Sequence, residues 1–281
     1  MAAYSSHPKN PIKSWDELVA VESEFEEDWA FRGQNKLAFP ATSLERHCGD
    51  LGLTGQKIVD LEIKLIREFA RSYHLYDGFG SPQTGHTLQW LALLQHYGAP
   101  TRLVDFTYSF FIAVYFAIEA AEACSVVWAV HVPRFKKEAQ DLIKTKLKDG
   151  AARVEEYQRV RDAAPFRKLF MHPSPLRFAY PTNPILLNER LTIQQGVFLA
   201  PGDVTATFEE NVRAVPNHNQ NVVQIIIDPS CRQDLMRKLH RFGINAATLF
   251  PGLEGFARSL RTKSLILANL PTQGVDMLEQ V

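Results

Sequence analysis

Two segments concentrate side chains able to do chemistry. The first is Phe31-Arg32-Gly33-Gln34. An arginine offers a fixed fork of donors, and a following glycine lets a ligand approach the backbone closely. That pairing suits a phosphate or a ribose-bearing ligand. A surface arginine ahead of a turn would read the same way. The second segment is denser and runs from Gln95 through His96, Tyr97, Gly98 and Pro100 to Thr101, Arg102, Asp105 and Thr107. It leads into the run Phe110-Phe111-Ile112-Ala113-Val114-Tyr115-Phe116-Ala117. A helix that apolar must be buried, which holds the polar cluster at its start against the core. Polar groups held there are costly unless paired. An Arg102–Asp105 ion pair and an N-cap from Thr107 would satisfy them structurally. The functional alternative is a pocket floor where His96 and Thr107 meet a ligand and helix amides favour an anion.

The elements that must position these residues follow from periodicity and punctuation. Ser14 starts a helix to about Glu24, with Glu17 completing a capping box. Trp29 to Gly33 reads as a short strand. Thr54 caps a long helix whose Ile58, Leu61, Leu65, Ile66 and Phe69 share a face. A helix from Thr87 to Tyr97 stops at Gly98-Ala99-Pro100. Thr101 to Phe106 is a buried strand, and the apolar helix spans about Ser109 to Ala123. Val126 to Val132 is the clearest strand; Gly196 to Ala200, Val222 to Ile227 and Ala246 to Phe250 complete the set, with a helix between Arg232 and Phe242. His172 to Pro184 is expected to be an ordered irregular connection. Few helices separate the later strands, so the fold class is α+β rather than a doubly wound sheet.

Composition narrows the function. The chain has 281 residues, 46% hydrophobic and 22% charged, which supports a large core. Lys+Arg and Asp+Glu both number 31, so no global field drives the chain onto nucleic acid or membrane. No run approaches the roughly 18 apolar residues of a membrane span, and the N-terminus lacks an apolar signal core. We therefore expect a soluble, cytoplasmic protein. Three scattered cysteines without CxxC argue against a disulfide scaffold or zinc ribbon. No HxH or HExxH occurs, so we expect no metal; no GxxxxGK[ST] or GxGxxG marks a phosphate cradle, and no GxSxG marks a nucleophile elbow. Charge is uneven locally. Asp16 to Asp28 holds seven acids and no base, whereas Arg134 to Lys168 holds eleven Lys/Arg against six Asp/Glu. The basic stretch reads as a solvated helical face, or as an insertion touching an acidic partner or nucleic-acid phosphates. Opposite charge would let the acidic helix fold over it.

Phe31-Arg32-Gly33, the run from Gln95 to Thr107 and Ala113-x-Tyr115-Phe116-Ala117 resemble the FRG domain family. Arg190-x-x-x-Gln194-Gln195-Gly196-x-Phe198 agrees, as do Gly243-Ile244 and Thr248-Leu249-Phe250-Pro251-x-Leu253-Glu254-Gly255. The resemblance implies an N-terminal helical extension (1–24), one domain over 25–270 with a basic helical insertion at about 134–170, and a tail (271–281). The FRG pattern is in turn similar to the ADP-ribosyltransferase superfamily. This implies a split antiparallel β-sandwich with flanking helices, and NAD as the substrate. On that reading Phe31, Arg32, Gly33, Gln34, Thr101, Arg102, Asp105, Thr107 and Tyr115 contact NAD. Arg32, Thr107, Gln195, His96 and Glu254 carry the catalysis. Where many such transferases use a glutamate, Gln195 can hydrogen-bond a ribose hydroxyl but cannot offset positive charge. Glu189 and Glu254 are alternative carboxylates. The implied activity cleaves the nicotinamide–ribose bond and transfers ADP-ribose to a protein or nucleic-acid acceptor. A toxin or phage-defence role, under an inhibitory or activating protein partner, fits the family context. The alternative is a non-catalytic module sensing a nucleotide or partner through the same cleft. A carboxylate converging on Arg32 and Thr107 would favour the enzyme.

Overall fold

In the computed structural model, which describes residues 4, 6–76, 82, 85–186 and 189–267, all six strands join one antiparallel sheet. The strands are β1 (Trp29–Gln34), β2 (Val104–Thr107), β3 (Ser125–His131), β4 (Ala179–Thr182), β5 (Gly196–Pro201) and β6 (Val222–Ile227). Their order is β4-β5-β2-β1-β3-β6. Fourteen α-helices accompany them among the described residues.

Alternation along the strands divides the core. Ala30, Val126, Trp128 and Val130 point to one face, and Phe31, Val127 and Ala129 to the other. Helices Thr87–His96, Val132–Lys146, Gly150–Val160 and Ala163–Phe170 cover the first face. Helices Trp15–Glu22, Phe110–Ile118 and Arg232–Arg241 cover the second. With helices on both sides every residue of β3 is buried, which explains why its central stretch Val126-Val127-Trp128-Ala129-Val130 is continuously apolar rather than alternating. Helix Phe110–Ile118 lies directly on β1. A Cβ built on Gly33 would sit 1.8 Å from the Ala113 carbonyl oxygen, so only glycine permits this approach.

Several expectations hold, among them β1, β2, β3, β5, β6, the capped helix from Trp15 and the helical basic segment. Others are corrected. The strands form one sheet, not two. Yet β1 and β2 pair only at Phe31 opposite Thr107, so the sheet is nearly divided at its centre. Residues 246–250 are not a strand: Asn245 caps a short helix, Ala246–Leu249, by accepting from the Ala247 and Thr248 amides. The stretch from His172 to Pro184 contains β4, an edge strand where Pro181 removes no needed ladder donor. Gly55, not Thr54, precedes the helix Gln56–Ser72. Ser109, not Thr107, caps the apolar helix.

The acidic N-terminal helix does not fold over the basic segment. It packs on the opposite face of the sheet, with Trp15 stacked between Phe111 and Phe242. The segment before it bridges β6 at Ser6–Gln224 and Ile12–Ile227. The expected tail at 271–281 lies outside the described residues. Among those residues no helix is long and apolar enough to cross a membrane.

Candidate active-site cleft

Beyond the Phe31–Thr107 pair, β1 and β2 diverge, and a cleft of about 640 Å³ opens between them. Of the residues expected to matter, Phe31, Arg32, Gly33, Gln34, Asp105 and Thr107 line it. Arg32 bridges the divergence: its Nη1 donates to the Asp105 carbonyl at 2.7 Å, and the Asp105 carboxylate stands 4.0 Å away. Burial pulls the Arg32 guanidinium below its usual range, and the neighbouring Asp105 counteracts this. The charge is thus poorly hydrated and available to an anion. Asp105 is held in turn. Thr101 Oγ1 donates to Gln95 Oε1 at 2.5 Å, and Gln95 Nε2 donates to Asp105 Oδ2 at 2.8 Å. Thr101 therefore orients Asp105 without reaching the cleft.

Thr107 Oγ1 donates to the Gln194 carbonyl at 2.6 Å and accepts from the Ser109 amide. Its hydroxyl joins β2 to the entry of β5. Tyr115 is fully buried behind the wall and donates to Glu119 Oε1 at 2.9 Å. Burial, followed by the Glu119 charge, pushes its phenol well up from the usual value.

Arg102 is corrected outright. It is 1% exposed, forms a forked ion pair with Glu62, and also donates to the Phe170 carbonyl at 2.5 Å. It holds the core together and cannot reach a cofactor in the cleft. His96 lies outside the lining, with Nδ1 buried and unpartnered. Burial, then the Arg190 charge, lowers its pKa. Gln195 is exposed in the left-handed region (φ 49°) and does not line the cleft; the adjacent Gln194 does. Glu254 is exposed in the first turn of helix Leu253–Leu267, and Glu189 is exposed at the start of Glu189–Ile193; neither lines the cleft.

Other cleft residues carried no role in the sequence reading. Glu119 sits just past the apolar helix and is gripped by Arg258 at 2.7 and 2.5 Å. Two guanidiniums approach the Phe250 ring, Arg190 at 4.6 Å and Arg258 at 4.3 Å from its centre. The Arg190 guanidinium is held low by burial and makes no hydrogen bond among the described residues, although its carbonyl accepts from the Gln194 amide. Arg190, Gln194 and Phe250 stand in the motifs quoted above, a signal that they matter. Nothing local marks Glu119 or Arg258.

The lining holds five cationic residues, Arg32, Lys36, Arg46, Arg190 and Arg258, against two carboxylates, Asp105 and Glu119. That excess attracts a multiply charged anion, while Phe31, Phe116 and Phe250 give the lining an apolar component. No group of three His, Cys, Asp or Glu able to hold a metal occurs among the described residues.

The sequence from β1 to the start of β3 carries Arg32, Gly33, Asp105, Thr107 and Glu119. Residues 27–125 match the FRG domain. No curated protein and no solved structure matches the chain. The FRG-matched segment thus supplies β1, β2 and the helix between β2 and β3. Arg190, Gln194, Phe250 and Arg258, which close the opposite wall, come from beyond it.

Proposed function

We propose that the cleft binds NAD and that the protein is an ADP-ribosyltransferase-like enzyme passing ADP-ribose to a macromolecular acceptor. The observation that carries this reading is the convergence of the Asp105 carboxylate on Arg32, with Thr107 two residues along the same strand. The residues suit the ligand. Arg32 and the unbonded Arg190 would take the diphosphate, and the phenylalanines would take an aromatic ring. Cleavage of the nicotinamide–ribose bond releases a neutral leaving group, so orientation and negative potential near the anomeric carbon matter more than a strong acid. Asp105 supplies that potential, and its hydrogen bond from Gln95 fixes the carboxylate. Glu119 contributes less because Arg258 neutralises it.

The test is nicotinamide release from NAD, with and without whole-cell lysate, by the wild type and by Arg32→Ala and Asp105→Asn. Release lost in both variants supports the proposal, and lysate dependence marks transfer rather than hydrolysis. A second reading, a non-catalytic sensor, is favoured by the neutral Gln194 at the mouth of β5. NAD raising the melting temperature without nicotinamide release would establish it. Neither effect would refute both.

A further inference from the structure

A second pocket, of about 320 Å³, lies where helices Val132–Lys146 and Gly150–Val160 meet β4 and β5. Its lining includes Lys136, Arg161, Tyr157, Tyr180, Thr182 and Asn183, and it contains no carboxylate. Lys136 is half-buried with Nζ 6.0 Å from the centre of the Tyr180 ring. The Arg161 amide caps its helix on the Tyr157 carbonyl, but neither the Lys136 nor the Arg161 side chain makes an ion pair or hydrogen bond among the described residues. Burial and then the Arg161 charge hold the Lys136 amine below its ordinary pKa. Arg161 ends its helix in the left-handed region (φ 64°), a conformation that is costly for a non-glycine residue. Polar groups ring the cations. Gln140 donates to Tyr180 Oη at 2.7 Å, leaving the phenol proton free to donate, and Tyr157 shares a hydrogen bond with Thr182. Asn183 Oδ1 is buried without any partner.

Asp162, next to Arg161, is buried and taken up by the Leu88, Gln89 and Ala163 amides. Two like charges on a pocket lined by no carboxylate call for an anion, and a buried acceptor without a donor calls for a ligand that brings one. We infer that this pocket is a second binding site, for a small phosphorylated and hydroxyl-bearing molecule, with Lys136 and Arg161 on the phosphate and Asn183 on a hydroxyl. The volume admits a phosphorylated sugar. The site shares no lining residue with the cleft and does not depend on its assignment.

Titration calorimetry of the full chain with ribose 5-phosphate, ribose and inorganic phosphate tests this. Ribose 5-phosphate should bind one to one and more tightly than either fragment. The affinity should fall at least about tenfold in Lys136→Ala/Arg161→Ala and stay unchanged in Arg32→Ala, because charge-assisted hydrogen bonds dominate phosphate recognition. Amine acetylation read by mass spectrometry needs no variant: ribose 5-phosphate, and not ribose, should protect Lys136 several-fold and leave Lys36 labelled. Absence of binding at millimolar concentration, binding lost only in Arg32→Ala, or unprotected Lys136 would each overturn the inference.

Discussion

The Arg32 guanidinium donates to the Asp105 carbonyl at 2.7 Å, just past the point where the ladder between their strands has ended. The same side chain therefore satisfies a backbone acceptor and lines the cleft. Arg32→Ala is expected to cost about 1–3 kcal/mol of stability through that orphaned carbonyl. On the proposed function it should also weaken nucleotide binding far more than a structural loss would. Chemical denaturation beside nucleotide titration separates the two. Arg32→Lys should recover stability better than affinity, since an ammonium cannot reproduce the fork.

Gly33→Ala meets an obstacle that cannot move aside. The new methyl would lie 1.8 Å from the Ala113 oxygen and 2.5 Å from the Ala117 nitrogen, both backbone atoms of a buried helix. Overpacking of this kind costs about 1–3 kcal/mol or more. We expect a clear fall in melting temperature and weaker cleft binding in the fraction that folds. Wild-type stability in this variant would mean the helix does not rest on β1.

Glu62 and Arg102 should behave as a structural pair. Glu62→Ala strands a buried guanidinium and is expected to destabilise by about 3–5 kcal/mol, measured by urea unfolding. Replacing both by apolar residues, Glu62→Leu with Arg102→Met, should restore much of the loss. NAD affinity per folded molecule should not change, because neither residue lines the cleft.

Acid should destabilise the fold near neutrality through histidine. Burial lowers the pKa of His96 and of His131 in the native state. An unfolded histidine takes its proton near pH 6.5. Between that pH and the lower native value the unfolded chain binds more protons, so stability rises with pH and is lost on acidification through that window. Melting temperatures should fall below about pH 6.5, and His96→Gln should flatten part of the slope. A gain in stability on acidification would show that the His96 ring has an anionic partner instead.

Five strands were legible because apolar runs bounded by Gly, Pro or Ser mark them. β4 was hidden by the prolines around it, and Ala246–Leu249 misled because a short capped helix and a short strand look alike in four apolar-rich residues. An Arg102–Asp105 pair is the local expectation, but Arg102 lies in a bend ahead of β2 and turns into the core, whereas Asp105 lines the cleft. The true partner of Arg102, Glu62, lies on a distant helix, and no local pattern encodes that contact. Of the two glutamines at the mouth of β5, Gln195 takes a left-handed turn outside the cleft lining and the adjacent Gln194 lines it, a difference of backbone conformation that the sequence does not display. Arg32, Gly33, Asp105 and Thr107 line the cleft because they stand on the two strands that form the opening. Glu119 and Arg258 were not legible, because only tertiary packing brings them together.

The lone Phe31–Thr107 register pair has a mechanical corollary. The sheet is two three-stranded plates, β4-β5-β2 and β1-β3-β6, joined by a narrow weld. Fewest backbone bonds share the load at this point, so here the sheet offers least resistance to bending and leans on helix Phe110–Ile118 for support. Any molecule lodged between Arg32 and Gln194 spans the weld and acts as a splint, carrying load that the backbone there does not.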